Sequence, residues 1–219
     1  NGHDGIELTD LSYQNTFLHP NFEANANNGL TLTHNHDVWI IGSQIGGNFN
    51  HGLFIDHSSM VQNYGGSNTG NTGSGIVVSG GSSAIYVFNT HLSTNGRYGI
   101  EEITDGTGTP AVATYSDNFI YTNTLGPIHK LGNTNYSIRN NYGYVTEASK
   151  ISSAFAIDST GIKTITIAHG LDITPSTQKI TISVIRGTPV NDWTYNQLMV
   201  VGVDGTNVTV IINVNSAST

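Results

Sequence analysis

The sequence predicts an all-β chain in two parts, a stacked-repeat solenoid over residues 1–147 and a small antiparallel, sandwich-like β-domain over residues 148–219. Three observations predict it. One phrase (Asn, three residues, Gly, then an apolar-x-apolar triplet) occurs five times, and its glycines Gly5, Gly29, Gly52, Gly75 and Gly99 are 24, 23, 23 and 24 residues apart. A fixed period in this range marks stacked repeats. Composition agrees: 26 glycines with only 10% charged residues describe a turn-rich β-protein, whereas a disordered chain carries more charge and fewer aromatic and branched residues. The third observation is a change of pattern near Thr146–Ser153, after which longer strands alternate with a period of two.

The triplets are Ile6-Glu7-Leu8, Leu30-Thr31-Leu32, Leu53-Phe54-Ile55, Ile76-Val77-Val78 and Ile100-Glu101-Glu102, the last breaking the pattern at its third place. A second apolar run follows each of the first four, as in Val38-Trp39-Ile40-Ile41 and Ile85-Tyr86-Val87-Phe88. A single coil cannot bury its apolar side, but stacked coils bury a continuous column. The Asn four residues before each Gly is expected to stack amide on amide, as Asn ladders do in cross-β structures. The Gly then serves as a turn residue without steric penalty. Residues 64–75 read by composition as a flexible loop replacing the end of the third coil. Thr104–Pro110 reads as a protruding loop, Asn118–Tyr121 with Gly126–His129 as the next coil led by Gly126, and Tyr136–Val145 as a last partial coil. The second part should hold strands at Ala154–Asp158, Lys163–His169, Lys179–Arg186, Leu198–Val203 and Val208–Val214, with Asp204-Gly205 as a hairpin turn.

The repeat Asn-x-x-x-Gly-[Ile/Leu]-x-[Leu/Ile/Val] resembles the right-handed parallel β-helix of pectate-lyase-like proteins, which include polysaccharide lyases, alginate epimerases and bacteriophage tailspikes. Ile167-Ala168-His169-Gly170-Leu171 with Thr174-Pro175 is similar to a strand-and-turn element of small β-domains at the C-termini of phage tail proteins. These resemblances imply a homotrimeric spike or appendage, on a virion tail or otherwise extracellular. It would bind cell-surface polysaccharide and, as a hydrolase or lyase, depolymerise it. The alternatives are a secreted polysaccharide lyase or uronan epimerase acting as a monomer, and an adhesive module without chemistry. Because residue 1 already lies inside a repeat, the chain reads as the C-terminal coils of a longer solenoid. A net charge of −8 with only seven Lys and Arg argues against a nucleic-acid partner. No apolar run approaches the ~20 residues of a membrane span, so no membrane partner is expected. No zinc-type spacing is present, and neither metal nor cofactor is expected.

Alternation along the Gly-led strands puts Glu7, Thr31, Phe54, Val77 and Glu101 on the outer face, with Asp56 beside them and Asp10, His34 and His57 just beyond. Saccharide-processing members of the resembled family work on this face or the groove beside it. That implies a catalytic set of Asp56, His57, His34, Asp10, Glu101 and Glu102, and a ligand-binding set of Phe54, Tyr98, His36, Asp37 and Asp105. Glycoside hydrolysis needs two carboxyls about 5–9.5 Å apart, and coils rise by about 4.8 Å. Glu7 and Glu101, at opposite ends of the repeat series, therefore cannot pair, whereas Asp10 with Asp56, or Glu101 or Glu102 with Asp105, can. Glu102 fills a slot that is apolar in the other copies, so its carboxyl is either paired inside or marks a distorted coil. His34 and His57 are one coil apart and should stack, and His36 and His51 complete a tight histidine set near Asp37 and Asp56. Lyase or epimerase chemistry needs a group to neutralise a uronate carboxylate and a base near the C5 proton. Up to Val145 the only cations are Arg97, Lys130 and Arg139, which argues against a polyuronate lyase. Phe54, Trp39, Tyr86, Tyr98, Tyr115 and Trp193 are further platforms for sugar rings. The plainer alternative for all these residues is a solvated turn, a polar ladder or core packing.

Overall fold

A computed structural model describes residues 2–10, 12–106, 108–131, 136–144, 161–169, 171, 180 and 193–216. The chain forms two compact units, Asn1–Tyr144 and Val145–Thr219. The first unit is a parallel β-helix. Its strands are β1 (Ile6–Leu8), β2 (Tyr13–Leu18), β3 (Asn21–Glu23), β4 (Leu30–Thr33), β5 (His36–Gly46), β6 (Leu53–Asp56), β7 (Ser59–Thr69), β8 (Ile76–Ser79), β9 (Ser83–Phe88), β10 (His91–Ser93), β11 (Tyr98–Glu102), β12 (Ala111–Ser116), β13 (Phe119–Tyr121), β14 (Gly126–His129) and β15 (Tyr136–Arg139). One strand per coil, in the order β1-β4-β6-β8-β11-β14, makes a six-stranded sheet, and the other nine strands form a second sheet. Every pairing within the two sheets is parallel, and the repeat sets the register: Ile6, Leu30, Leu53, Ile76, Ile100 and Ile128 lie in one row. From Leu30 to Ile100 that row is fully buried, as are Leu32, Ile55 and Val78 beside it.

The coil closes because the backbone turns left-handed at four corners. Apart from Gly66, Gly106, Gly126 and Gly143, the positive-φ residues described fall in four columns: Asp10, His34, His57, Gly80; Gln14, Asp37, Met60, Ala84, Val112; His19, Gly42, Gly65, Asn89, Asp117, Asn140; and Ala24, Gly47, Gly70, Thr94, Thr122. These columns overturn the loop expected at residues 64–75. β7 runs as strand to Thr69, and Gly65 and Gly70 are corners of it rather than points of flexibility. At Gly66 a Cβ would lie 2.1 Å from the Ser43 carbonyl oxygen, so the preceding coil leaves room for hydrogen alone.

The Asn ladder runs through Asn25, Asn48, Asn71, Asn95 and Asn123. From Asn48 onward each Oδ1 accepts both the backbone N–H and the side-chain amide of the Asn one coil earlier, at 2.8–3.1 Å. The role of the repeat glycine differs from the one expected. Gly29, Gly52 and Gly75 have no positive φ. A Cβ on Gly52 would instead meet the Gly75 carbonyl oxygen at 2.5 Å and the Asn71 amide at 2.9 Å, so the glycine exists to admit the ladder of the next coil. In the sixth coil Tyr98 pairs with Gly126 and Ile100 with Ile128, which puts Pro127, not Gly126, in the repeat-glycine slot.

In the second unit β16 (Gly161–Ala168), β17 (Trp193–Val203) and β18 (Asn207–Ser216) form an antiparallel sheet in the order β16-β18-β17. Val208, Val210 and Ile212 are buried against Ile165, Ile167, Ile180, Val200 and Val203. The hairpin is displaced by one residue from Asp204-Gly205. The Asp204 N–H donates to the Asn207 carbonyl, leaving Gly205 and Thr206 in the loop, while the Asp204 carboxylate accepts the N–H groups of Thr206 and Asn207 at 2.7 Å. Those two backbone hydrogen bonds hold the Asp204 carboxyl below its ordinary range. The strand expected at Ala154–Asp158, the one at Lys179–Arg186 apart from Ile180, the Thr174-Pro175 turn and the Trp193 side chain lie outside the described residues.

Candidate functional site

Each coil leaves the six-stranded sheet through the corner occupied by Asp10, His34, His57 and Gly80. Left-handed backbone is several-fold enriched in Asp, Asn and His among residues with a side chain, so these identities have a local reason. The corner also gathers chemistry. The His34 and His57 rings stack with centroids 5.0 Å apart and planes inclined by 24°. His57 Nδ1 is 3.1 Å from Asp56 Oδ2, and its Nε2 is 3.3 Å from Asp105 Oδ2. Asp105 arrives on the connection between β11 and β12. That coil spans 28 residues from Asn95 to Asn123 against 24 in the coil before it, measured along the ladder. Gly80 makes the meeting possible, because a Cβ there would lie 2.7 Å from His57 Cε1 and 2.9 Å from Asp105 Oδ2.

The hydrogen bond to Asp56, helped by the negative charges of Asp56 and Asp105, raises the basicity of His57 above the ordinary imidazole value against an opposing effect of burial. Asp56 Oδ1 is buried and accepts no hydrogen bond. Two carboxylates flanking one imidazole fix the ring orientation and stabilise its protonated form. The three residues also offer ligand atoms within 4.8 Å of one another, a spacing that could hold a divalent cation. Half-buried Phe54 stands on the outer face of the same sheet, with the His51 ring 5.9 Å away.

The opposite edge of the sheet carries a second ladder. Asp4, Asn28, His51 and Ser74 each accept, through a side-chain atom, the backbone N–H of the residue one coil later, at 2.9–3.2 Å. At this edge Glu101 is buried, contrary to the open outer face expected for it. Its carboxylate takes the Arg97 guanidinium in a two-pronged ion pair and the Ser74 hydroxyl at 2.5 Å. Burial pushes the Glu101 carboxyl up, but the Arg97 and Ser74 hydrogen bonds and the Arg97 charge outweigh it and hold the group below its usual range. Burial lowers His51, and Arg97 adds to that against the opposing charge of Glu101. Val77, also expected outside, is fully buried.

Glu102 points into the core at 0% exposure, where it accepts the Tyr115 hydroxyl at 2.9 Å and the Leu131 N–H at 3.0 Å. The carboxyl is thus paired inside. Asp105 faces His57. Tyr115 is fully buried and offers no sugar platform. Replacing Glu102 by Val would restore the repeat pattern yet remove the carboxylate acceptor of the Tyr115 hydroxyl and the Leu131 N–H. The expected cost is about 2–3 kcal/mol in urea unfolding, of which about 1 kcal/mol returns in the double variant with Tyr115→Phe.

Asp10 falls in the His34 and His57 column, as expected, and the other predicted residues scatter. His51 and His57 flank opposite ends of β6, on the order of 15–20 Å apart by strand rise, so the expected tight histidine set is divided. His36 and Asp37 belong to the nine-stranded sheet, where the Tyr13 ring lies 5.8 Å from His36 and Asp37 accepts the Trp39 indole N–H at 3.1 Å. The Tyr98 ring stacks on His129 at 5.0 Å. Sequence reasoning missed Gly80, whose missing Cβ admits the His57 and Asp105 side chains. The signal that could have found it was the corner column itself, Asp10-His34-His57-Gly80 at the repeat period.

Two solved structures share this fold. The periplasmic alginate epimerase AlgG superposes with a TM-score of 0.58 at 15% identity, over 64% of this chain and 36% of that one. The A-module of the Azotobacter vinelandii mannuronan C-5 epimerase AlgE6 superposes with a TM-score of 0.52 at 15% identity, over 65% of this chain and 42% of that one. The chain thus matches about two-fifths or less of the length of either structure. No protein-family model and no curated protein matches the sequence.

Proposed function

We propose that the β-helical unit modifies a polysaccharide by proton transfer at His57, on the corner of its six-stranded sheet. The observation that carries this reading is the His57 imidazole set between the Asp56 and Asp105 carboxylates and stacked on His34. A base so placed takes the C5 proton, alpha to a uronate carboxylate, while the electron pair of the C–H bond forms a C5–C6 double bond and the carboxylate π pair moves onto its oxygen. Return of a proton to the opposite face epimerises the sugar. Departure of the glycosidic oxygen from the adjacent C4 instead cleaves the chain as a lyase, as the same pair forms a C4–C5 double bond and the leaving oxygen takes a proton. Asp56 and Asp105 orient the ring, and Phe54 offers the sugar an apolar face. Arg97 is bound to Glu101, so a hydrogen bond to the substrate carboxylate falls to His34, stacked on the base. The matched structures are described as epimerases, which favours this reading over a spike that hydrolyses its receptor or an adhesive module.

Incubation with polymannuronate, polyguluronate and polygalacturonate distinguishes the outcomes. Epimerisation changes the anomeric proton spectrum at constant chain length, and lyase action shortens the chain and creates an ultraviolet-absorbing unsaturated end. Hydrolysis shortens it without that absorbance. An unchanged spectrum and chain length for all three polymers would defeat the proposal.

A further inference from the structure

The nine-stranded sheet carries an aromatic cluster that the proposed chemistry does not use. His91 on β10, Phe119 and Tyr121 on β13, and Tyr142 come from three successive coils. His91 pairs in register with Phe119, which in turn bridges to Tyr142. His91 and Tyr121 have ring centroids 5.0 Å apart, Phe119 and Tyr142 6.1 Å, and Tyr121 and Tyr142 6.4 Å, so the four rings form one continuous surface. The surface is open: Phe119 is 53%, Tyr121 40% and Tyr142 65% exposed. The Tyr121 hydroxyl is fixed at 2.6 Å from His91 Nε2, which locks two of the rings and places polar atoms at the edge of the cluster. In-register neighbours on the preceding coils, Ser67, Thr69 and Gln44, are uncharged.

We infer that this cluster is a binding platform for uncharged stretches of a glycan chain, on a different sheet from the His57 corner. Pyranose rings present an apolar C–H face that packs on aromatic faces and hydroxyls that bond to polar edges, and this surface offers both without a charge. Size favours a saccharide over a second copy of the chain. An aromatic side chain buries ~150–250 Å² at most, so three rings at these exposures offer on the order of 300–400 Å². A stable protein interface needs about 800 Å² per partner. Successive coils, about 4.8 Å apart, set the rings at intervals comparable to a sugar residue. The inference rests on reading the chain as glycan-handling, but it uses other residues and requires no turnover.

Affinity electrophoresis of the whole chain through gels containing galactomannan, xyloglucan or alginate tests it. Retardation is expected in at least one neutral polymer. Phe119→Ala with Tyr142→Ala should weaken it by about tenfold or more. Both aromatic positions are exposed, and an unchanged melting temperature confirms that the double variant is folded. Absence of retardation in both neutral gels overturns the inference, as does equal retardation of the double variant. A concentration-dependent dimer in sedimentation that disappears in the double variant also overturns it, by assigning the face to self-association. Retardation that depends on these rings in a chain that converts no polyuronate would sink the catalytic proposal and leave this one standing.

Discussion

Asn71→Ala is expected to lower stability by about 3–4 kcal/mol, a large fraction of the 5–15 kcal/mol that holds a domain folded. Asn71 Oδ1 accepts the backbone N–H of Asn48 at 3.1 Å and its side-chain amide at 2.8 Å, and both residues are essentially without solvent exposure. Alanine removes the acceptor of the Asn48 backbone N–H and of one amide hydrogen of Asn48, whose amide keeps only its bond to the Phe22 carbonyl, where water does not reach, at about 1–3 kcal/mol each. It also removes the Asn71 amide from Asn95 Oδ1, which keeps the Asn71 backbone N–H. The effect is amplified because a coil's neighbours are its only contacts, so a weakened interface in mid-stack uncouples the coils on either side. Asn50 supplies the control. Its side chain donates to Asn27 Oδ1 one coil earlier at 3.1 Å, but on the exposed surface, and Asn50→Ala should fall within about 0.5 kcal/mol of the parent. Urea unfolding of the two variants checks both values, and equal losses would show that the buried row is no more important than a surface bond.

His57→Asn should reduce turnover of a responsive polyuronate about a hundred- to ten-thousandfold, the range for loss of a positioned general acid or base. Because Asp56 raises the basicity of His57, with Asp105 adding its charge, the neutral ring needed to take a proton is reached only above the ordinary imidazole value. The acid limb of the rate profile should therefore lie at higher pH than that of a free imidazole, and Asp105→Asn should move it back down. Stability runs the opposite way. A raised basicity in the fold means that His57 contributes stability below the unfolded imidazole value and loses it as pH rises through the folded one. The depressed Glu101 carboxyl contributes above the ordinary carboxylate range and loses that contribution as the medium turns acid. An acid limb unmoved by Asp105→Asn would detach the loop carboxylate from the chemistry.

The six-stranded sheet and the Asn ladder were legible because both repeat one residue type at one interval. The stacking of His34 on His57 followed from the same interval. Legibility ended where the repeated property is not a residue name. Asp4, Asn28, His51 and Ser74 share an acceptor atom at matching positions and nothing else. The glycines of 64–75 look alike in sequence, although some are corners and Gly66 is a close approach. Glu101 lies on the outward side of its strand as alternation requires, but Arg97, one strand-length earlier, folds over it. Which carboxylate reaches His57 depended on the path of a single long connection, and no periodicity encodes that path.

That connection has a wider meaning. The winding body supplies one half of the reactive corner, while the other half is delivered on a short graft where one sheet gives way to the next. Shortening the graft by the four residues that separate 28 from 24 would return this winding to the common length and withdraw Asp105. The scaffold would lose none of its rows. Chemistry on such a stack is therefore replaceable in a way that chemistry embedded in a closed core is not: a new reaction needs a new tether, not a new architecture.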